Sequence, residues 1–255
     1  MKRILWTDDE MILALDLYFK LPFGRLNHTT PEVIDLANMI GRTNNSVALR
    51  LSNYAACDPY ILNSGRHGMS SGVDRCQPYW DKYSENREKL FLDAENIRAK
   101  YKKVDIEKHL SISKEDFVGY ERDAVIKQRV NQNAFREMVL ANYENRCAIT
   151  CINLPQLLIA SHIIPWAKDE KERINPENGI CLSPLYDMAF DKGLIGVRTD
   201  YTIILSKEIK EHKNEPFYEK YFASIGDKSI RLPLEHIPNK NFLEYHLENI
   251  FAKHD

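Results

Sequence analysis

Cysteine is scarce in this chain and is poorly arranged for a zinc cluster. There are five cysteines, namely Cys57, Cys76, Cys147, Cys151 and Cys181. Only Cys147 and Cys151 are closely spaced and no second close pair follows, so a four-thiolate zinc site is not indicated. A zinc site would need a histidine to complete its ligands, and structural zinc is not expected. Thiols without a disulfide framework suit a reducing compartment, so we expect a cytoplasmic protein.

Long apolar runs and an excess of charge are lacking too. No hydrophobic stretch approaches the roughly 20 residues that cross a bilayer, and Asp8 and Asp9 interrupt the N-terminus too early for a secretory signal. We therefore expect no membrane association. The formal net charge of −2 excludes a generally basic protein, so any nucleic-acid surface must be local. A chain of 255 residues, 44% of them hydrophobic, can form one large domain or two modest ones.

A dense group of polar side chains surrounds His162. The apolar run from 157 to 164 is short and β-compatible, which predicts a strand that ends at Pro165 with His162 near its end. Turn-forming residues at 175–179 and a second short apolar run then lead to a serine-proline pair that is typical of a helix start. We predict that this helix extends from about Pro184 to Lys192 and is ended by the following glycine.

The predicted helix places two carboxylates on one face. Asp187 and Asp191 are four residues apart, which is the spacing of neighbours on a helix surface. Leu185, Met188 and Ala189 are predicted to pack inward. The strand, the loop and the helix are therefore expected to bring one imidazole and two carboxylates close together.

These residue types suit metal-assisted hydrolysis of a phosphodiester. A neutral histidine with an ordinary pKa of about 6.5 can deprotonate water at neutral pH. Two carboxylates are enough to anchor Mg²⁺, because that ion keeps several waters and borrows phosphate oxygens. The ion can neutralise charge on the scissile phosphate. Asn178, in the intervening loop, can fix that loop by hydrogen bonding backbone groups with its amide.

Short pieces of the chain between Arg129 and Val197 form a recognisable pattern. They are Phe135-Arg136, Cys147-Ala148-Ile149-Thr150, Ala160 to Trp166, Asn178-Gly179-Ile180 and Ala189 to Leu194. Together they resemble the HNH endonuclease family, whose fold, the ββα-metal finger, is two strands and a helix around one metal ion. The resemblance implies that His162 is the general base and that Asn178 is the central asparagine that holds the loop.

The third position of the family motif, usually a metal-binding histidine, differs in this chain. Aligned through Phe190-Asp191 it falls on Tyr186, or on Asp187 if the register moves by one residue. We expect Asp187 to bind the metal, because a carboxylate is a hard oxygen ligand and a neutral tyrosine is a poor one. Tyr186 is then a candidate substrate contact. Many family members also have an aspartate ligand where this chain has Ser161.

Asp191 and Arg136 each have two interpretations. Asp191 is a candidate second metal ligand, or it bonds backbone groups where the helix stops. Arg136 is expected to contact a substrate phosphate. The alternative for Arg136 is an ordinary surface charge on a helix.

The N-terminal region predicts three helices. Thr7 is suited to cap the first, and Pro31 opens the second, which extends through Met39 and is closed by Gly41. The third is predicted from about Asn44 to Ala55. Its inward stripe is predicted to be Val47, Leu51 and Tyr54.

This trihelical, helix-turn-helix-like unit is predicted to contact DNA. There is no acidic residue between Leu36 and Cys57, and the region offers polar side chains that can reach phosphates and base edges. These are Arg42, Asn44, Asn45, Arg50 and Asn53. We assign substrate binding to Arg42 and Arg50. The alternative is a small helical bundle with a polar outer face. The stretch from Ile4 to Pro59 also resembles a domain found ahead of HNH fingers in bacterial restriction-type proteins.

Together these patterns predict an α+β fold in two domains. Residues 1–103 are expected to form a helical DNA-recognition-like domain, and residues 104–128 a linker. Residues 129–255 are expected to form the HNH nuclease domain with flanking helices and a finger core at about 145–197. A C-terminal amphipathic helix is predicted at Asn241 to Ala252.

The expected activity is that of a Mg²⁺-dependent DNA endonuclease, with Mn²⁺ or Ni²⁺ as alternative ions, used in restriction or phage defence. A homodimer would let a one-metal finger cut both strands. One alternative is a DNA-binding regulator with a degenerate, inactive finger, which the missing third histidine favours. Another is an HNH nuclease that acts on RNA or structured DNA, since hydrolysis takes place at the phosphodiester group and does not depend on the identity of the base.

Overall fold

A computed structural model of the protein describes residues 5–113 and 115–253. The chain is α+β, and it divides into two units, of which the first ends at Ala134 and the second begins at Phe135. Ile4 and the outer ends of the two predicted domains, at residues 1 and 255, lie outside the described residues. No described helix combines the length and the apolar character needed to cross a membrane.

The N-terminal unit is built from helices. In chain order they are α1 (Asp8–Lys20), α2 (Pro31–Ile40), α3 (Asn44–Ala55), α4 (Pro59–Asn63), α5 (Val73–Tyr83), α6 (Arg87–Lys102), α7 (Ile106–His109) and the first part of α8 (Arg122–Asn142). Short 3-10 turns lie at Phe23–Arg25 and Glu115–Phe117. The segment 104–128, predicted as a linker, contains α7, the second of these turns and the start of α8.

Local capping residues set the boundaries of the first three helices. Thr7 and Glu10 form a capping box at the start of α1. Pro31 opens α2, which Gly41 ends in the left-handed conformation with φ of 67°. The side chain of Thr43 caps α3. The predicted inward stripe of α3 is confirmed, because Val47, Leu51 and Tyr54 are all buried.

The second unit combines two small sheets with short helices. After α8 its elements are β1 (Ile159–His162), β2 (Gly179–Leu182), α9 (Pro184–Asp191), β3 (Ile195–Val197), β4 (Ile203–Leu205), α10 (Lys207–Glu211), α11 (Pro216–Tyr221) and α12 (Lys240–Asn249). β1 pairs antiparallel with β2, and β3 pairs antiparallel with β4. In the first sheet His162 lies opposite Gly179.

The first strand is shorter than the predicted run from 157 to 164. Pro155–Leu157 form a 3-10 turn, and β1 ends at His162. Beyond His162 the backbone N–H groups no longer pair with a neighbouring strand but donate hydrogen bonds to a single residue, Asn178. The N–H of Ile163 donates to the carbonyl of Asn178 at 2.9 Å, and the N–H of Ile164 donates to Asn178 Oδ1 at 2.7 Å. Asn178 therefore ends the sheet.

Helix α9 is held at its C-terminal end by α12. The ring of His246 stacks on Phe190 with 3.7 Å between centroids, and its Nε2 donates to the Phe190 carbonyl at 3.0 Å. Burial lowers the pKa of His246 to about 4, so its ring is neutral at pH 7. This contact fixes the helix that carries Asp187 and Asp191.

Candidate active site

His162 lies at the end of β1 with its ring packed between aromatic side chains. It stacks on Phe135 with 3.7 Å between ring centroids, and the edge of Trp166 approaches it at 5.6 Å. Nε2 lies 3.0 Å from the carbonyl oxygen of Arg173. Because a carbonyl can only accept, Nε2 carries the proton of the neutral ring. Among the described residues Nδ1 has no hydrogen-bond partner.

The surroundings of His162 keep its ring neutral. Burial lowers the pKa of the imidazole, and the hydrogen bond to the Arg173 carbonyl raises it by less, so the net pKa is below the ordinary value. At pH 7 the side chain is therefore an uncharged base with its lone pair on Nδ1.

Asn178 ties together the two ends of the loop that follows β1. Its side chain is only 1% exposed. Oδ1 accepts from the N–H of Ile164, while Nδ2 donates to the carbonyls of Ile164 and Glu172, both at 3.1 Å. The amide makes the backbone bonds that the sequence predicted for it. The loop that carries Arg173 is thereby fixed relative to His162.

The inward face of α9 differs in part from the predicted one. Ala189 is buried as expected, but Leu185 is 43% exposed and Met188 is 58% exposed. The prediction for these two residues is wrong. The aromatic rings of Tyr186 and Phe190, which lie on the same face of the helix as Ala189, fill the core instead. The helix is thus rotated so that its apolar Leu185 and Met188 face outward.

Asp187 and Asp191 lie next to each other on α9. Burial raises the pKa of Asp187, and nearby Ser161 lowers it by less. Asp191 is exposed at the surface, but desolvation by its neighbours raises the pKa of its carboxyl to about 6, with repulsion from Asp187 as the second cause. The cation of Lys192 lowers the pKa of Asp191, but by less than these two effects raise it. The pair therefore forms a site where added positive charge is favourable.

Ser161 lies beside this pair and has an unsatisfied hydroxyl. Its side chain is 2% exposed, and Oγ has no hydrogen-bond partner within normal geometry although it is close enough to affect the Asp187 carboxyl. An unsatisfied buried hydroxyl is costly. Among the described residues no three histidine, cysteine, aspartate or glutamate side chains are grouped to hold a metal ion. Any ion here would rest on two carboxylates and this hydroxyl.

Two predicted substrate contacts in this unit are used within the protein. Tyr186 is buried, and its hydroxyl donates to the carbonyl of Tyr221 at 2.7 Å. Arg136 donates through Nη1 to the carbonyl of Leu158 at 2.6 Å and through Nη2 to that of Pro155 at 2.9 Å. Arg136 therefore braces the turn before β1.

Arg42 and Arg50 lie in the N-terminal unit and are likewise engaged. Arg42 pairs with Glu10, with 2.7 Å between Nη2 and Oε2, and lies over the ring of Trp6 at 4.5 Å. Arg50 lies over the same ring at 4.9 Å and donates through Nη1 to Cys76 Sγ at 3.4 Å. The predicted availability of Asn53 is wrong, because its buried amide donates to backbone carbonyls of the loop after α4.

Cys147 anchors the chain at the start of the finger. Its buried Sγ accepts from the backbone N–H groups of Ile149 and Thr150, both at 3.4 Å, and of Ser183 at 3.2 Å. Burial raises the pKa of the thiol, but interaction with the Thr150 side chain and these backbone hydrogen bonds outweigh that effect and lower the pKa overall. The cysteine thus ties the turn after α8 to the N-terminus of α9.

The aromatic and cationic surroundings of His162 were not predicted from the sequence as site residues. Phe135 lies 27 positions before His162, and no periodic pattern links residues so far apart. Trp166 and Arg173 follow His162 closely in the chain. An aromatic residue and a cation in the loop after a candidate catalytic histidine are a sequence signal for residues that contact its ring.

Gly179 leaves the space that Phe135 needs beneath His162. A Cβ at this position would lie 2.4 Å from Val139 Cγ2 and 2.9 Å from Phe135 Cζ. We expect Gly179→Ala to destabilise the protein by about 1–3 kcal/mol through overpacking, measured by denaturant unfolding. Gly24→Ala is the matched control, because a Cβ there meets nothing within 4 Å. Equal stability of the two variants would contradict this role of Gly179.

In the second unit two antiparallel strands are followed directly by a helix. A histidine ends the first strand and two carboxylates lie on the helix, which is the arrangement expected of a ββα finger. Comparison with known families agrees with this class. Residues 147–198 match the family model described as HNH endonuclease, and this match supports the resemblance of that segment to the HNH family. The comparison with curated proteins found no match.

Proposed function

We propose that this chain is a divalent-metal-dependent DNA endonuclease that hydrolyses phosphodiester bonds. The observation that carries the proposal is the state of His162. Its ring is neutral, Nε2 is committed to a backbone carbonyl, and Nδ1 has no partner among the described residues. An imidazole in this state can accept a proton from water at neutral pH.

The residues of α9 and β1 fit an ion that prefers oxygen ligands. We assign Asp187 and Asp191 as metal ligands and add the unsatisfied hydroxyl of Ser161 as a third oxygen. Two carboxylates suffice for Mg²⁺, which keeps waters and takes phosphate oxygens. When bound, such an ion supplies stabilisation of the negative charge on the scissile phosphate and on the leaving oxygen.

The protein side chains carry the proton transfer. As the oxygen of water attacks phosphorus and the bond to the leaving oxygen breaks, the proton of the water passes to His162 Nδ1. The charge that develops on the ring is stabilised through Nε2 by the Arg173 carbonyl. Asn178 keeps the backbone of Ile164 and Glu172 in place, so the base stays aligned.

DNA recognition is assigned to the N-terminal unit, with α1 to α3 as a helix-turn-helix-like module. For Arg42 or Arg50 to contact DNA, each must give up an intramolecular contact. Asn45 and Leu49 are exposed on α3 as it stands, and they are the better candidates for groove contacts. The biological setting that the sequence resemblance favours is restriction or phage defence, with a homodimer cutting both strands.

The test is incubation of the purified chain with plasmid DNA, single-stranded DNA and RNA in Mg²⁺, Mn²⁺ or Ni²⁺. We expect plasmid cleavage that EDTA abolishes and that added metal restores. Cleavage of RNA but not plasmid would support an RNA nuclease instead. DNA binding in a gel without cleavage under any of these ions would support the regulator with an inactive finger, which the missing third histidine favours.

A further inference from the structure

Arg173 makes a compact set of contacts within the loop that follows β1. Its Nε donates to the carbonyl of Trp166 at 2.9 Å, and its guanidinium lies over the Trp166 ring at 5.1 Å. Nη1 also pairs with Glu170 at 3.3 Å, a residue whose side chain is largely exposed. The Arg173 side chain therefore closes the loop between 166 and 173 on itself.

The same loop makes two of the contacts that hold the His162 ring. The carbonyl of Arg173 accepts from Nε2, and the edge of Trp166 meets the imidazole at an interplanar angle of 86°. Both contacts come from a loop that the Asn178 amide holds at Ile164 and Glu172 and that the Arg173 side chain closes at Trp166. The bond at Nε2 decides which nitrogen has the free lone pair.

We propose that Arg173 is a positioning residue that fixes the tautomer of His162. The proposal rests on the proposed function, in which His162 Nδ1 is the base. With the Arg173 carbonyl in place, the proton stays on Nε2 and Nδ1 can accept. If the loop relaxes and the carbonyl moves away, the ring also populates the tautomer protonated on Nδ1. That tautomer cannot take a proton from water at the position of the present lone pair.

Two other possible roles for Arg173 predict different results for KM, thermal stability and the tautomer of His162. If its guanidinium binds a substrate phosphate, removing it raises KM and leaves the tautomer unchanged. If its side chain adds to the stability of the fold without holding the Arg173 carbonyl against His162, removing it lowers thermal stability and again leaves the tautomer unchanged. The positioning role alone changes the protonation pattern of the His162 ring in the free protein.

The experiment measures the imidazole ¹⁵N resonances of the full chain labelled at histidine, without metal or nucleic acid. The His162 signals are assigned by their loss in His162→Ala. We expect wild type to show Nε2 protonated and Nδ1 unprotonated, and Arg173→Ala to show averaged values of a tautomer mixture. We also expect kcat to fall about 10- to 100-fold at unchanged KM, a part of the full contribution of a general base.

The matched control is Lys171→Ala, which removes the same charge from an exposed position of the same loop. If Arg173→Ala does not fold, Arg173→Met keeps a side chain over Trp166 and removes the Nε–H and the charge. A wild-type ¹⁵N pattern in the folded variant overturns the proposal. If wild type has the expected tautomer and Arg173→Ala loses it, but no nucleic acid is cleaved, the positioning role stands and the proposed function fails.

Discussion

Cleavage by the His162→Ala variant is expected to fall by about 10²–10⁴-fold while DNA binding stays nearly unchanged. The imidazole is the only proposed proton acceptor, whereas DNA recognition is assigned to the N-terminal unit. The initial rate of plasmid nicking and the Kd from a gel-shift titration, both at fixed salt, measure the two effects separately. Salt is held fixed because phosphate binding depends strongly on it.

Loss of the ring also removes a stacking partner of Phe135, so folding must be checked. Thermal unfolding of the variant serves this purpose, and His212→Ala, at an exposed position of the same unit, is the matched control. The wild-type rate should fall as pH drops through the lowered pKa of His162, because only the neutral ring accepts a proton. Full cleavage by a folded His162→Ala protein would remove this residue from the mechanism.

The part of the site predicted best from the sequence is the part that depends on residues close to one another in the chain. A histidine three residues before a proline, an asparagine directly before a glycine and a serine-proline helix start each act within a few residues. The structure has His162 at the end of β1, although the strand is shorter than the predicted one, and it has the Asn178 side chain bonded to the loop backbone and α9 beginning at Pro184. Short-range capping and turn chemistry needs no knowledge of the rest of the fold.

The errors concern side chains whose neighbours are distant in sequence. The rotation of α9 about its axis depends on which side chains pack into the core. Tyr186 and Phe190 are buried there, and Leu185 and Met188 are exposed. Arg42 looked available because its own stretch has no acidic residue, but its partner Glu10 lies 32 positions earlier. The stacking of Phe135 on His162 and the close approach at Gly179 likewise follow from tertiary packing, which no local pattern encodes.

The helix face that presents Asp187 bears on the third position of the family motif. Tyr186 points into the core, where its hydroxyl donates to the Tyr221 carbonyl, whereas Asp187 is only half-buried next to Asp191 and Ser161. A neutral, buried, hydrogen-bonded phenol is a poor ligand, and a carboxylate next to a second carboxylate is a good one for a hard cation. This favours Asp187 over Tyr186 for the metal.

Asp187→Asn is accordingly expected to lower cleavage by about 100-fold or more and to weaken Mn²⁺ binding, because the ion would lose one of its two proposed carboxylate ligands and with it part of the stabilisation that it gives to the transition state. Cleavage is measured across a Mg²⁺ titration, and Mn²⁺ binding is measured by electron paramagnetic resonance. Metal affinity should also fall as pH drops through about 6, since protons compete for Asp191.

Tyr186→Phe is the matched variant for the alternative register, because it removes only the hydroxyl. It should retain cleavage to within a few-fold and lose about 1 kcal/mol of stability with its hydrogen bond to Tyr221. Asp191→Asn separates the two roles of that residue: weaker Mn²⁺ binding at unchanged stability identifies a ligand, and lower stability at unchanged binding identifies a helix-end contact. If Asp187→Asn keeps wild-type cleavage and metal dependence while Tyr186→Phe loses both, the metal anchor belongs to Tyr186 and the preferred register is wrong.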